Sequence, residues 1–421
     1  MKYDFDSVID RWNTDSYKWN IREGELPMWV ADMDFEVAPE IREAMNERLE
    51  HGVFGYSVIP HRWYEAYQNW WRERHHFDID KNWLVFCTGV VPAISTCVRK
   101  LTEAGDNVLV QTPVYNIFFN SIRNNGRNIV TNPLKLVDEA GNGFNGFSDG
   151  NNLGTADIGS LHYEMDFDDL EKKLSDPKTT LMLLCNPQNP SGMIWDKATL
   201  LKVGELCARH NVTVLSDEIH CDITEPGEEY VPFASVSPVC RDNSVTCISA
   251  SKAFNMAGLQ SAAVVVPDKA LRRKVWRALN TDEVAEPNSF AVTSTVAAFE
   301  KGGAWLDELR EYIAENRRLV RDYINANIPE LSLIEGNATY LLWIDARKII
   351  NAAKSSTDNE QDAPDDKKLS EFIREKTGLY LSDGEAYGAE GFLRMNVACP
   401  RSVVTEGLRR LEAGVSAYIT V

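Results

Sequence analysis

Through the middle of the chain, short apolar runs rich in β-branched residues alternate with segments whose apolar positions recur every three or four residues. The runs at residues 84–88, 107–111, 128–131, 180–185, 212–216, 244–249 and 262–266 predict strands buried on both faces. Between several of them lie segments of helical period, such as 197–210, which sets Leu200, Leu201, Val203, Leu206 and Cys207 on one face. This alternation predicts an α/β unit, a mostly parallel seven-stranded sheet with helices on both faces. Two long helices are expected next, over 290–300 and 304–326. Beyond Pro329 the pattern changes to strands at 339–345 and 391–397 and helices at 369–377 and 404–413, a smaller α+β unit. The expected division is an N-terminal segment over 1–50 that contributes to the small domain, a large domain over 51–290, interdomain helices over 291–328 and the small domain over 329–421. Residues 139–160, rich in Gly, Asn and Ser, and 351–368, polar and acidic, interrupt the pattern and are expected to be mobile surface loops.

Composition removes several function classes. Among 421 residues, 44 Lys and Arg stand against 63 Asp and Glu, a net charge of −19. That sign repels phosphate backbones and anionic lipid, so neither nucleic acid nor a membrane surface is an expected partner. No apolar run approaches the length of about 20 residues that spans a bilayer. The first residues carry acids where a secretory leader needs bases and an apolar centre. The expected location is cytoplasmic. Eight cysteines, none in a C-x-x-C pair, read as buried free thiols. The glycosylation-type triplets at Asn211 and Asn337 are then coincidental.

Three further patterns lack the context their chemistry needs. Residues 141–146 spell G-x-G-x-x-G, but more Gly, Asn and Ser follow instead of a helix whose N-terminus would hold a pyrophosphate. His75, His76, Asp78 and Asp80 match no ligand spacing and read as a solvated turn. Asp217, Glu218, His220 and Cys221 are dense in ligand types but have no second ligand group at zinc spacing, so no metal is expected.

Open α/β sheets bind ligands beyond the carboxyl ends of their strands. Here one predicted strand runs into Thr88-Gly89-Val90-Val91, a turn into a helix whose free N–H groups suit a phosphate. The next three ends carry Asn189, then Asp217 with His220, then Lys252 beside Ser249 and Ser251. An amide, a carboxylate and an amine therefore converge. A buried acid needs a cationic partner, and a lysine in a crowded dry site is pushed toward its neutral, nucleophilic form.

These residues resemble a known family. Asn-Pro-Gln-Asn-Pro-Ser-Gly at 186–192, Asp-Glu-Ile-His at 217–220 and Ser-Ala-Ser-Lys-Ala-Phe-Asn at 249–255 resemble the fold-type-I pyridoxal-phosphate enzymes, the aspartate-aminotransferase-like superfamily. PMWVADMDF at 27–35, Phe54-Gly55-Tyr56, Thr112-Pro113-Val114-Tyr115 and KAFNMAGLQ at 252–260 are similar to the MalY/PatB group of cystathionine β-lyases. The resemblance covers nearly the whole chain outside the two insertions.

It implies pyridoxal 5'-phosphate as cofactor and a role for each matching position. Lys252 would carry the cofactor as a Schiff base and, once released, move the substrate Cα proton. Asp217 would pair with the protonated pyridine nitrogen. Asn189, in an X-Pro context that permits a rigid cis turn, would bond the phenolic oxygen. His220, where many relatives place a tyrosine, would offer that oxygen a second donor, and Tyr115 would stack on the ring. The phosphate would draw on the Gly89, Val90 and Val91 amides and the Ser249 and Ser251 hydroxyls. Gln260 stands where many relatives have an arginine, which leaves the phosphate's charge partner unassigned. Tyr56 would reach the phosphate from a second subunit, making a homodimer with a composite site. Arg394, with Arg401 as the weaker alternative, would grip the substrate α-carboxylate, while Val30 and Ala31 line the substrate side. As bare residues, Tyr56 and Tyr115 equally suit a core, and His220 a structural histidine.

The implied activity is carbon–sulfur β-elimination from L-cystathionine or related S-substituted cysteines. An aminotransferase would use the same residues, and a non-catalytic regulator would keep the fold. The intact set Lys252, Asp217, Asn189 and Arg394 argues against lost chemistry.

Overall fold

The computed structural model describes residues 2–138, 143–144, 161–356 and 366–420. All seven expected strands of the large sheet form, each within a residue of its apolar run: β1 (Leu84–Cys87), β2 (Asn107–Val110), β3 (Asn128–Thr131), β4 (Thr179–Cys185), β5 (Thr213–Asp217), β6 (Ser244–Ile248) and β7 (Ala262–Val265). Their order is β1-β7-β6-β5-β4-β2-β3. Every pair from β6 to β3 is parallel, whereas β7 runs antiparallel to both β6 and β1. Register places Asp217, the last residue of β5, between Cys185 of β4 and Cys247 of β6.

The second sheet is antiparallel throughout, in the order Ser332–Leu333, Leu341–Asp345, Phe392–Asn396, Ser382–Asp383. The helices Asp366–Thr377 and Arg401–Ile419 pack together beside it, and their apolar faces close its core. The strand expected from residue 339 starts at Leu341, because Thr339 takes a left-handed φ of +67° that a strand cannot hold. The last helix is longer than 404–413, since Pro400 caps it and Arg401 already lies within it.

The expected loop at 351–368 is corrected at both ends, where the helices Arg347–Ser356 and Asp366–Thr377 reach into it. Within the G-x-G-x-x-G run, Gly143–Phe144 pairs antiparallel with Leu136–Val137, a strand rather than a phosphate loop. The rest of 139–160 lies outside the described residues.

The N-terminal segment divides between two cores. Leu26 and Met28 enter the core of the small sheet, and Leu26–Pro27 pairs in parallel with Leu379–Tyr380. Phe5, Met33, Phe35, Ala38 and Ile41 instead pack with Trp63, Tyr67, Phe254 and Trp305. The helix Gly303–Asn327 links both, giving Trp305, Leu309 and Tyr312 to one core and Val320 and Ile324 to the other. All eight cysteines are buried free thiols, as their apolar settings predict. No helix among the described residues is long and apolar enough to cross a membrane.

Candidate active site

The strand ends meet in a cavity of about 260 Å3 bounded by Gly89, Val90, Val91, Tyr115, Asn189, Asp217, His220 and Lys252, with Ala31 above. Asp217 is 5% exposed and accepts the Ile219 N–H at 3.2 Å. Burial pushes its carboxyl up to about 7, against the pull of the Ile219 N–H and the Lys252 charge. Lys252 leaves the turn after β6 and donates to the Ala31 carbonyl at 2.6 Å. Burial brings its amine down to about 8; Arg394 adds to this, while Asp32 and Asp217 oppose it. An acid and an amine that ordinarily lie far apart on the pH scale are thus drawn toward neutrality in one cavity.

The walls are polar groups awaiting a partner. His220 is buried and its Nδ1 has no hydrogen-bond partner. Burial, with the Lys252 and Arg394 charges, lowers it to about 3, so the ring is neutral. Asn189 is buried, precedes a cis bond to Pro190, and accepts from Arg394 Nη1 at 3.2 Å. Tyr115 lines the cavity, its phenol raised by burial to about 12.

At the far end the helix Val90–Leu101 opens on Gly89 with no side-chain cap, which leaves its first N–H groups directed at the cavity. A Cβ on Gly89 would stand 3.1 Å from Pro92 Cδ, so glycine keeps the turn tight. Ser251, Gln260 and Ser261 form the facing wall. Ser249 stands behind it, joined to Ser251. Its Oγ lies 2.7 Å from the Ser261 carbonyl and 2.8 Å from Ser251 Oγ, and accepts the Ser251 N–H at 3.0 Å. Among the described residues no arginine borders this end, in keeping with Gln260.

The loop after Trp29 is tied down through its own carbonyls. Arg394 Nη2 and Ser382 Oγ each donate to the Trp29 carbonyl at 2.8 Å, and Asn396 Nδ2 donates to Val30 and Asp32 at 2.6 and 2.7 Å. From beneath, Asp34 accepts from Lys18 at 2.7 Å, Arg11 at 2.7 Å and Trp19 Nε1 at 2.9 Å. Ala31 is therefore presented to Lys252 by a loop anchored to both cores.

A second cavity of about 440 Å3 adjoins the first through Ala31, Tyr115 and Lys252 and is bordered by Val30, Trp29, Tyr380 and Arg394. Trp29 and Tyr380 stack at 4.8 Å, and the Arg374 guanidinium lies 3.6 Å from the Tyr380 centroid. Arg394 is 4% exposed, sits 4.6 Å over the Tyr387 ring, and its Nε lacks a partner.

Other candidates lie elsewhere. Arg401 pairs with Glu315 and crosses the Tyr312 ring, outside both cavities. Tyr56 is fully exposed on a segment without regular secondary structure and borders neither cavity of its own chain. Among the described residues the ligand types that converge are His75, Cys221 and Asp222, not the run from Asp217 to Cys221. His75 is no solvated turn residue, because its Nε2 lies 2.8 Å from Asp222 Oδ1, which also accepts from Trp70. Thr88 and Ser261 border the first cavity and Tyr387 the second, while Tyr340 Oη donates to the Ala31 carbonyl at 3.2 Å; sequence reasoning missed all four. Thr88 and Ser261 adjoin motif residues and were findable; the two tyrosines read as ordinary core.

The family model for aminotransferase class I and II matches residues 26–411. The chain is 40% identical to cystathionine beta-lyase PatB of Bacillus subtilis (strain 168), covering 98% of this chain and 100% of the relative. It is 33% identical to protein MalY of Escherichia coli (strain K12), over 99% of each. Among solved structures, the PLP-bound C-S lyase from Staphylococcus hominis superposes with a TM-score of 0.85 at 30% identity, covering 98% of this chain and 99% of that one.

Proposed function

Because the chain belongs to the aminotransferase class I and II family, in its MalY/PatB group, we propose that it is a pyridoxal 5'-phosphate-dependent carbon–sulfur β-lyase acting on L-cystathionine or related S-substituted cysteines. The balanced reaction adds water, breaks the Cβ–S bond, and yields a thiol, pyruvate and ammonia. The observation that carries the reading is the convergence of the Lys252 amine, the Asp217 carboxyl and the buried Arg394, which pairs with no carboxylate among the described residues, on two joined cavities.

The residues present fit the cofactor. The uncapped helix start at Gly89 to Val91 suits its phosphate, Asp217 its ring nitrogen, and the unpartnered His220 Nδ1 together with Asn189 its phenolic oxygen. When bound, it supplies an aldehyde that condenses with an amino group and a ring that accepts the electron pair left at Cα. Asp217 keeps that ring nitrogen protonated. Arg394 grips the substrate α-carboxylate, and Asn189 holds Arg394 in register. The Lys252 Nζ, brought near neutrality by its surroundings, takes the Cα proton. The larger outer cavity, walled by Trp29 and Tyr380, receives the sulfur substituent.

A cytoplasmic homodimer belongs to the same reading. Eight reduced, buried thiols suit a reducing compartment, and the fully exposed Tyr56 suits a residue completed by a second copy. The test is pyruvate release from L-cystathionine with no keto acid present, abolished by Lys252→Ala. Amino exchange that depends wholly on an added keto acid would make the chain an aminotransferase instead.

A further inference from the structure

We propose that Tyr340 is a positioning residue for Lys252: its hydroxyl and the lysine amine share the Ala31 carbonyl oxygen, and this common anchor keeps the amine's lone pair facing the cavity. The proposal rests on Lys252 being the cofactor and proton-transfer residue. Lys252 Nζ donates to Ala31 O at 2.6 Å, and Tyr340 Oη donates to the same atom at 3.2 Å. A carbonyl oxygen has two lone pairs and no proton, so both are now used. The neutral amine spends an N–H on the carbonyl and leaves its lone pair unbonded. The Tyr340 proton, committed to Ala31, is kept off that lone pair. Tyr340 is 1% exposed and burial raises its phenol, so it remains a donor throughout the working pH range.

A strained backbone aims this side chain. Thr339, immediately before it, holds φ at +67°, a costly conformation for a β-branched residue that persists where surroundings fix it. They do so here. Arg317, buried and paired with Glu225 at 2.7 Å, donates to the Ala338 and Thr339 carbonyls at 3.3 and 3.1 Å and to that of Gly336. The Thr339 N–H donates to Ile223 at 2.7 Å and the Tyr340 carbonyl accepts from Val397 at 2.9 Å. The Val397 bond continues the ladder of the strand Leu341–Asp345 through Tyr340, so strand and turn hold this residue together. Three separate parts of the chain thus meet on one oxygen: the loop after Trp29, the turn after β6, and the approach to the small sheet.

The test is Tyr340→Phe, which keeps the ring and removes the anchor. The charged and titratable groups facing the amine are Asp32, Asp217, His220, Arg394 and Tyr115, all retained in the variant. With its second lone pair free, Ala31 accepts more strongly from an ammonium, so Lys252 should hold its proton to higher pH. In the full chain stripped of cofactor, reductive methylation of Lys252 followed by mass spectrometry should reach half-extent at higher pH than in the parent. In the cofactor-loaded variant the acid limb of kcat should move the same way, with kcat at neutral pH down about tenfold, KM little changed and the melting temperature retained. Methylation midpoint, acid limb and kcat all matching the parent would overturn the inference, as would a midpoint shifted to lower pH. A parent protein that forms no Lys252 adduct would overturn the underlying reading as well.

Discussion

Arg394 and Asn189 meet at the junction of the two sheets, the arginine Nη1 donating to the asparagine Oδ1 at 3.2 Å. The arginine belongs to the strand Phe392–Asn396 of the small sheet, the asparagine to the turn beyond β4 of the large one. No carboxylate is bonded to this guanidinium among the described residues. Carbonyl dipoles and the Tyr387 ring face compensate its charge, and burial weakens its hold on the proton. A buried cation without an anion is costly until a ligand brings one.

In the proposed role, Arg394 trades stability for binding. Arg394→Met should lower kcat/KM for L-cystathionine by about a hundredfold or more. In the absence of substrate the same change should leave the melting temperature unchanged or raise it, since an unpaired buried charge is replaced by an apolar chain of similar length. Steady-state kinetics alongside substrate-free thermal melts check both halves. A variant that loses activity by unfolding would contradict the argument.

If Tyr56 completes the site of a second subunit, two variants inactive alone should complement each other in one dimer. Lys252→Ala and Tyr56→Ala are each expected to be nearly inactive as pure proteins. Unfolded and refolded together, half of the dimers pair one of each, and one of their two sites then holds both native residues. Activity should return to about a quarter of the parent's. If the two variants never complement, Tyr56 does not act across an interface.

Asn255 tests how the Ala31 loop is held. Its Nδ2 donates to the Met33 and Phe35 carbonyls at 3.1 and 2.9 Å, its Oδ1 accepts the Met33 N–H at 3.2 Å, and its φ of +55° is one that asparagine tolerates. Asn255→Ala removes three bonds and strains the backbone, so it should destabilise the protein by about 2–4 kcal/mol. Asn255→Gly relieves the strain alone and should fall between that variant and the parent. Denaturant unfolding of the three proteins gives the order.

What the sequence disclosed follows from which forces are local. Apolar runs set all seven large-sheet strands, and the acid, amide and amine at their ends were legible because a polar residue ending such a run has little other reason to be there. Ser249 and Ser251 were not separable, because the hydroxyl that faces the cavity depends on a turn the pattern does not encode. Tyr340 sits in TYLLWID, which reads as a core strand; its partner, the Ala31 carbonyl, lies 309 residues earlier in the chain, where no local pattern reaches. His75 was misjudged for the same reason, since its partner Asp222 comes from beyond β5.

Burial raises the Asp217 carboxyl from 3.8 to about 7. A folded-state value above the unfolded one gives stability that is full below about pH 4 and is lost as pH rises through about 7, at most about 4 kcal/mol for this group. Burial also raises the neighbouring Glu218 to about 7, so it contributes in the same window; yet it binds Tyr230 and Ser216 away from the cavity. Lys252, lowered to about 8, has the opposite sign, but its penalty is nearly constant below about pH 7. His220, lowered from 6.5 to about 3, regains stability as pH rises toward 6.5 and offsets part of this loss, but the two carboxyls outweigh the one imidazole. Cofactor-free protein should therefore lose stability between about pH 5 and pH 7, and Asp217→Asn should remove part of that slope while leaving the shares of Glu218 and His220. A protonated ring nitrogen beside Asp217 would draw its carboxyl back down, so the cofactor-loaded parent should show the shallow slope of the cofactor-free variant. Denaturation midpoints for the three proteins across that range decide it, and equal slopes in the cofactor-free pair would remove Asp217 from the account.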